Sequence, residues 1–413
     1  MRFILSLAIL MLFSAFGFAG DWPQWLGPNR DNSSSEKVEP WTAAPKVLWR
    51  QAVGEGNSSP VVADGKVFVH AKIGGKDEEE VSAFDARTGK KLWNSTYVRT
   101  AFKSLYGNGP RATPVVAGSR IYTFGITGIL SCFEAASGKQ VWHVDTWKDF
   151  HPSTLVFGVS CSPLIEGDKV LVNVGAKGAS VVAFDKDTGQ VIWKGQDDGA
   201  SYASPIVLGL EKQRQLIFLT GKGLLSLSPK DGDLLWRFPL VDLLLESSTT
   251  PVKANDVLVA SSITFGSVGL RLETKDGKPG AKQIWKKNDL TCYFSTPVAV
   301  GPDHVYMVTG ANPLTFKAGT TLRCIDVKTG EELWQKQKVG QYHASLLRTG
   351  NDKLLMLEDS GSLALLEPNP KEYREVARSS VCGPTWAHLA LSNGRLYVRD
   401  NKEIICLELT ASE

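Results

Sequence analysis

Ala83-Phe84-Asp85-Ala86-Arg87-Thr88-Gly89-Lys90-Lys91-Leu92-Trp93 is a stretch that this chain rewrites again and again. It returns as Ala183-Phe184-Asp185-Lys186-Asp187-Thr188-Gly189 with Trp193, and as Cys324-Ile325-Asp326-Val327-Lys328-Thr329-Gly330 with Trp334. Weaker copies lead from Glu134 to Trp142 and from Ser228 to Trp236, and in all five the turn-opening residue precedes the tryptophan by eight positions. A sixth copy, Glu273 to Trp285, spans twelve, with Lys278-Pro279-Gly280-Ala281 read as a lengthened turn. A fixed repeat outranks other signals, because missing it misreads the whole fold.

Each copy reads as a hairpin corner. An apolar strand ends at an Asp or Glu whose carboxylate accepts from the next backbone amides. Glycine four residues later takes the positive φ of the reversal. A short strand follows with the tryptophan, most economically a wedge burying roughly 150–250 Å² against a neighbouring unit. The units open at Ser59-Pro60, Thr113-Pro114, Ser162-Pro163, Ser204-Pro205, Thr250-Pro251 and Thr296-Pro297. Proline suits the first residue of a strand, where its missing donor costs little. Second strands rich in β-branched and aromatic residues are expected at 66–70, 120–124, 169–174, 216–220, 257–261 and 304–309.

Two later units keep only part of the pattern, and the last lacks a fourth strand. The fragment Val47-Leu48-Trp49-Arg50 looks like that missing strand. Trp49, Trp93, Trp142, Trp193, Trp236, Trp285 and Trp334 then stand 43 to 51 residues apart, about one propeller blade. The expectation is an all-β, eight-bladed β-propeller of four-stranded antiparallel blades over 47–410, closed by an N-terminal strand that removes exposed sheet edges. Residues 20–46 are expected to be irregular and to lie across one face.

The first residues, 1–19, pair a basic Arg2 with an apolar run and small residues before Asp21, the pattern of a cleaved secretory signal. An exported, periplasmic or extracellular protein without a transmembrane segment follows. A net charge of +3 over 413 residues argues against a nucleic-acid or membrane-surface role. The six cysteines include no CxxC and no adjacent pair. Cys132, Cys324 and Cys406 replace the alanines of the repeat and read as small buried filler, with one or two disulfides left open.

The pattern Ser-Pro, apolar strand, Ala-Phe-Asp-x-x-Thr-Gly, Trp resembles the pyrroloquinoline quinone (PQQ)-type propeller repeat over nearly the whole chain. The opening Asp21-Trp22-Pro23-Gln24-Trp25-Leu26-Gly27-Pro28-Asn29-Arg30 is similar to the start of many secreted bacterial proteins of this kind. The resemblance implies one of two branches. Quinoprotein dehydrogenases hold PQQ between a tryptophan and a disulfide of neighbouring cysteines, or an equivalent platform, with calcium on carboxylate and amide oxygens. BamB-like members are cofactor-free scaffolds that bind other proteins. This chain has neither an adjacent cysteine pair nor a calcium-loop acidic cluster, and Asp77-Glu78-Glu79-Glu80 reads as a solvated loop. It also lacks the lipid-anchoring cysteine of BamB-like proteins.

The preferred reading is a non-enzymatic scaffold, a monomer with no cofactor, that binds a protein or extracellular polymer. A PQQ- and calcium-dependent oxidoreductase and a sugar-binding or sugar-cleaving propeller are the alternatives. Long insertions at 71–79, 95–110, 146–160, 262–268 and 311–319 fall on one face, and function on propellers rides on such loops. Near the funnel mouth they carry Tyr106, Asn108, Arg111, Phe157, Tyr202, Tyr293, Tyr342, His343 and Trp386, types enriched at binding hot spots. No catalytic residue and no metal ligand is assigned: the six histidines show no HxH or HExxH spacing. His70 and His304, in or at strands, read as packing or surface residues.

Overall fold

The computed structural model describes residues 20–210, 213–310 and 319–409. The signal-peptide expectation at 1–19 and almost all of the insertion at 311–319 lie outside them. The described residues form eight four-stranded antiparallel sheets. Blade 1 runs from Val61–Ala63 to Lys91–Val98, blade 2 from Val115–Ala117 to Gln140–Asp145, and blade 3 from Leu164–Glu166 to Val191–Gly195. Blade 4 runs from Ile206–Leu210 to Leu234–Pro239, blade 5 from Val252–Ala254 to Lys278–Lys287, and blade 6 from Val298–Val300 to Glu332–Gln337. Blade 7 spans Ala344–Arg348 to Glu375–Ser380. Blade 8 joins Ala390–Ser392, Arg395–Arg399 and Glu403–Glu408 to the early strand Lys46–Ala52, with Trp49 opposite Cys406. One short helix, Thr146–Phe150, follows blade 2. Among the described residues no helix is long and apolar enough to cross a membrane.

The repeat's residues explain the ring. Asp85 Oδ1 accepts from the amides of Arg87 and Thr88 and from the Thr88 hydroxyl, and Asp185 and Asp326 repeat this set. Each repeat tryptophan covers a small residue directly across the strand pair: Ala83, Cys132, Ala183, Gly269, Cys324 and Cys406 each lie opposite an indole, as does Ser226. A bulge follows at the next residue in most of these pairs. The cysteines there are spacers under indoles. All six cysteines are free, and burial pushes the Cys132 and Cys406 thiols up to about 12.

Each indole then reaches into the next blade. Nε1 of Trp49, Trp93, Trp142, Trp193, Trp285 and Trp334 donates to the carbonyls of Ala86, Ala135, Lys186, Pro229, Val327 and Asn369. For the first five, the turn glycine of that blade lies under the ring: a Cβ on Gly89 would sit 2.6 Å from Trp49 Cδ2. The glycine is therefore needed twice, for φ and for the indole.

Trp236 departs from this. Blade 5 carries no such turn, because the supposed turn insertion at 278–281 is strand. Gly266–Lys275 and Lys278–Lys287 pair as far as Lys275 with Lys278, and the reversal is the tight Asp276-Gly277 turn, both at positive φ. Trp236 Nε1 instead donates at 2.8 Å to Gln215 Oε1 within its own blade.

Three other expectations need correction. Residues 71–79 form mostly a strand pair, down to Lys72 opposite Glu79, and the insertion at 262–268 is a tight turn between Val257–Ser262 and Gly266–Lys275. The acidic run is not a solvated loop: Glu79 is fully buried on strand Glu78–Asp85. Its Oε2 accepts from Tyr97 Oη at 2.5 Å and lies 3.2 Å from His70 Nε2, while Oε1 accepts from Ile126 N and lies 3.5 Å from Arg99 Nε. Burial alone would raise the Glu79 carboxyl, but His70 and Tyr97 outweigh it and hold it below the usual range. His70 is accordingly the buried partner of a charge. Strand alternation hid this, since Glu79 points inward between outward-facing neighbours.

Candidate functional site

The Ser/Thr-Pro openings build the channel wall. Ser59 N donates to Thr113 Oγ1, Thr113 N to Ser162 Oγ, Ser162 N to Ser204 Oγ, Thr250 N to Thr296 Oγ1, and His388 N to Ser59 Oγ. Each hydroxyl satisfies an amide of the neighbouring blade, so the inner ends are stitched in sequence around the axis. Among the described residues no such link joins Ser204 to Thr250, and in blade 7 the Ser345 hydroxyl has no partner. In place of the former link, Trp25 Nε1 donates to Thr250 Oγ1 at 2.9 Å.

Trp25 belongs to the N-terminal segment, which lies along the inner strands. Trp22 exchanges backbone hydrogen bonds with Val62, Pro23 O accepts from Val116 N, and Arg348 N donates to Asn32 O. From there Trp25 enters the channel and meets the His388 ring at 4.5 Å. Arg30, almost fully buried, donates to the carbonyls of Ser162, Pro163 and Pro205. Burial lowers its guanidinium to about 10, and three carbonyls, rather than a carboxylate, hold it.

Above Trp25 lies a cavity of about 130 Å³ walled by Tyr106, Phe157, Tyr202, Tyr293, Phe294 and Trp386, with Arg111, Glu246 and His388 among its polar lining. The rings pack on one another: Tyr106 is stacked on Trp386 at 5.9 Å and edge-on to Phe157 at 5.5 Å, and Phe294 lies 4.7 Å from Trp386. Arg111 ties two loops together. Its Nε donates to Phe157 O, and its Nη2 donates to Tyr106 O and Gly107 O. Burial lowers the Arg111 guanidinium. Tyr293 Oη donates to Glu246 Oε2, and burial together with that carboxylate raises the phenol. His388 is 5% exposed and its Nε2 has no hydrogen-bond partner among the described residues.

Of the residues expected at the funnel mouth, Tyr106, Arg111, Phe157, Tyr202, Tyr293 and Trp386 line this one cavity. The other three do not. Asn108 braces its loop, its amide donating to Glu55 Oε1 and its Oδ1 accepting from Ser104 N. Tyr342 sits outside, 6.2 Å from Trp386 and half exposed. His343 is buried behind the wall with Nδ1 3.1 Å from Ser295 Oγ, and burial lowers it to about 4. Sequence reasoning missed Trp25, Glu246, Phe294 and His388. Phe294, beside Tyr293, was within reach of the same reasoning, whereas Glu246 is a lone carboxylate with no period to mark it.

The chain matches the family model described as outer membrane protein assembly factor BamB over residues 40–101 and 77–336. It is 24% identical over 299 residues to the outer membrane protein assembly factor BamB of Yersinia pestis, covering 67% of this chain and 69% of that protein. The crystal structure of BamB from Moraxella catarrhalis superposes with a TM-score of 0.61 at 16% identity, over 90% of this chain and 99% of that one. The quinohemoprotein alcohol dehydrogenase of Comamonas testosteroni is 30% identical over 148 residues, 33% of this chain, and the chain spans only 19% of that enzyme's length in the match. Its structure superposes with a TM-score of 0.64 at 14% identity, over 95% of this chain and 81% of that one. At these structural identities the likeness is one of fold.

PQQ does not fit the residues present. The space between the rings, about 130 Å³, is close to an engineered cavity that takes one benzene, roughly 150 Å³. A tricyclic tricarboxylate would also face Glu246, with Arg111 already spent on loop carbonyls. Among the described residues, no group of three or more His, Cys, Asp or Glu could hold a metal ion.

Proposed function

Since the chain belongs to the PQQ-repeat propeller family described as outer membrane protein assembly factor BamB, we propose that it is an exported scaffold that binds a protein partner on its long-loop face. One observation carries this reading. The loops joining consecutive blades expose Leu105, Val156, Leu243, Leu245, Tyr106 and Tyr342 around the aromatic cavity, with Leu105 96% and Leu243 81% exposed. Apolar side chains gathered on one face mark an interaction surface, whereas scattered ones do not. Aromatic anchors at the centre with a water-excluding rim are the usual anatomy of a protein hot spot.

The family match and the BamB relatives support the scaffold class. The periplasm as its compartment rests on the leader-like sequence at 1–19 and on those relatives. The test is capture from envelope extract with immobilised wild-type protein and a Leu105→Asp/Leu243→Asp variant. Both changes are at exposed positions and leave the blades intact. A partner retained by wild type and lost by the variant is expected. Identical capture by both, or none by wild type, refutes the proposal.

A further inference from the structure

We propose that the aromatic cavity is a receptor for one organic cation, a guanidinium or alkylammonium group, held between ring faces and the free oxygen of Glu246. This deepens the partner-binding reading by naming what the centre of that face recognises. The walls come first: Tyr106, Phe157, Tyr202, Tyr293, Phe294 and Trp386 line the space. Ring faces carry negative potential and attract a desolvated cation most strongly where several converge.

Charge comes second. Glu246 lines the cavity, one oxygen accepts from Tyr293 Oη, and the other has no hydrogen-bond partner among the described residues. Asp242, buried nearby on the same loop, accepts through Oδ1 from Leu244 N and Thr264 Oγ1 while Oδ2 stays unpartnered. Arg111, the one lining cation among the described residues, donates to the carbonyls of Phe157, Tyr106 and Gly107 and is held at the loop side. The unpartnered, buried imidazole Nε2 of His388 adds an acceptor or donor at the wall.

Size comes third. A space of about 130 Å³ takes a group near benzene in volume, and a guanidinium with its last methylenes or a trimethylammonium meets that limit. A neutral apolar group of the same size would leave the Glu246 oxygen buried without a partner, an unfavourable arrangement that a cation removes.

The test titrates purified protein with N-acetylarginine methylamide and with tetramethylammonium, each against a neutral isostere: the citrulline amide and tert-butanol. Binding is read by calorimetry and by the fluorescence of Trp25 and Trp386. Both cations are expected to saturate, each isostere to bind at least about tenfold more weakly, and Glu246→Gln to weaken the cations about tenfold. Thermal melts establish that Glu246→Gln is folded. Trp386→Leu supplies a second variant, with the same loss expected. Equal binding of arginine and citrulline amides, no saturable binding of either cation, or full affinity in Glu246→Gln overturns the proposal.

The source of the cation is separated by a further arm. An arginine-centred pentapeptide binding at least about tenfold tighter than the free amide assigns the site to a partner's side chain, whereas choline or betaine matching the peptide assigns it to a free small molecule. The two readings fail separately. Flat titrations with intact envelope capture sink the cavity alone, and saturable titrations without any capture sink the scaffold alone.

Discussion

The glycine at the end of each repeat turn answers to two demands, and they can be separated by experiment in one blade. Gly65 and Gly89 both have positive φ, +69° and +71°. A Cβ on Gly65 meets nothing within 4 Å, while one on Gly89 would lie 2.6, 2.7 and 2.8 Å from Cδ2, Cγ and Cε3 of Trp49. Gly65→Ala therefore bears only the cost of an L-residue in the left-handed region, about 1–2 kcal/mol. Gly89→Ala adds overpacking of about 1–3 kcal/mol. It also strains the 3.1 Å bond from Trp49 Nε1 to Ala86 O, worth about 1 kcal/mol. The expected total is about 3–6 kcal/mol. Equilibrium unfolding in urea, followed by far-ultraviolet circular dichroism, measures both variants. In a Trp49→Ala background the extra penalty of Gly89→Ala should vanish, leaving the backbone term alone and giving a coupling energy of about 2–4 kcal/mol. Equal destabilisation by Gly65→Ala and Gly89→Ala, or strict additivity with Trp49→Ala, would refute the indole contact as the reason for this glycine.

The buried Glu79 makes stability pH-dependent. Its folded pKa lies below the ordinary carboxylate value, so its contribution is complete above the unfolded value near pH 4.5 and is lost as the pH falls through the folded one. Glu79→Gln should cost about 3 kcal/mol at pH 7 by stranding Arg99 and His70. It should also flatten the acid limb of stability against pH, and an unchanged limb in urea titrations from pH 6 to pH 3 counts against this account. Trp25→Ala removes the cavity floor and the bond to Thr250. It should lower stability by about 2–4 kcal/mol, and dye entry into the channel, followed by fluorescence, should rise. No change in either measurement would show that the segment does not seal the axis.

Strand positions were legible because period-two alternation and the fixed eight-residue spacing both report local geometry. Arg120–Phe124 and His304–Thr309 fall where the pattern put them. The reading failed where a residue's role depends on a distant neighbour. Glu79 looked like one of four solvated acids, yet its partners are 9, 18 and 20 residues away on other strands and a loop. Lys278-Pro279-Gly280-Ala281 carried two turn formers, but cross-strand pairing with Glu273 and Thr274 decided in favour of strand. The aromatic members of the cavity could be named because tyrosine and tryptophan in interblade loops are uncommon. Glu246, His388 and Trp25 could not, since only closure of the ring brings 25, 246 and 388 together.

The joint between blades 4 and 5 lacks both directional fasteners found elsewhere in the ring. Trp236 turns back to Gln215, and no amide-to-hydroxyl link runs from Ser204 to Thr250. What spans it is oily: Leu219, Leu224, Leu258, Leu270 and Leu272 share one core there. Grease permits a tilt that rivets forbid. The loop crossing this joint carries Glu246 and Ser248, so the carboxylate side of the aromatic cavity is borne by oil rather than by directional bonds between the two sheets.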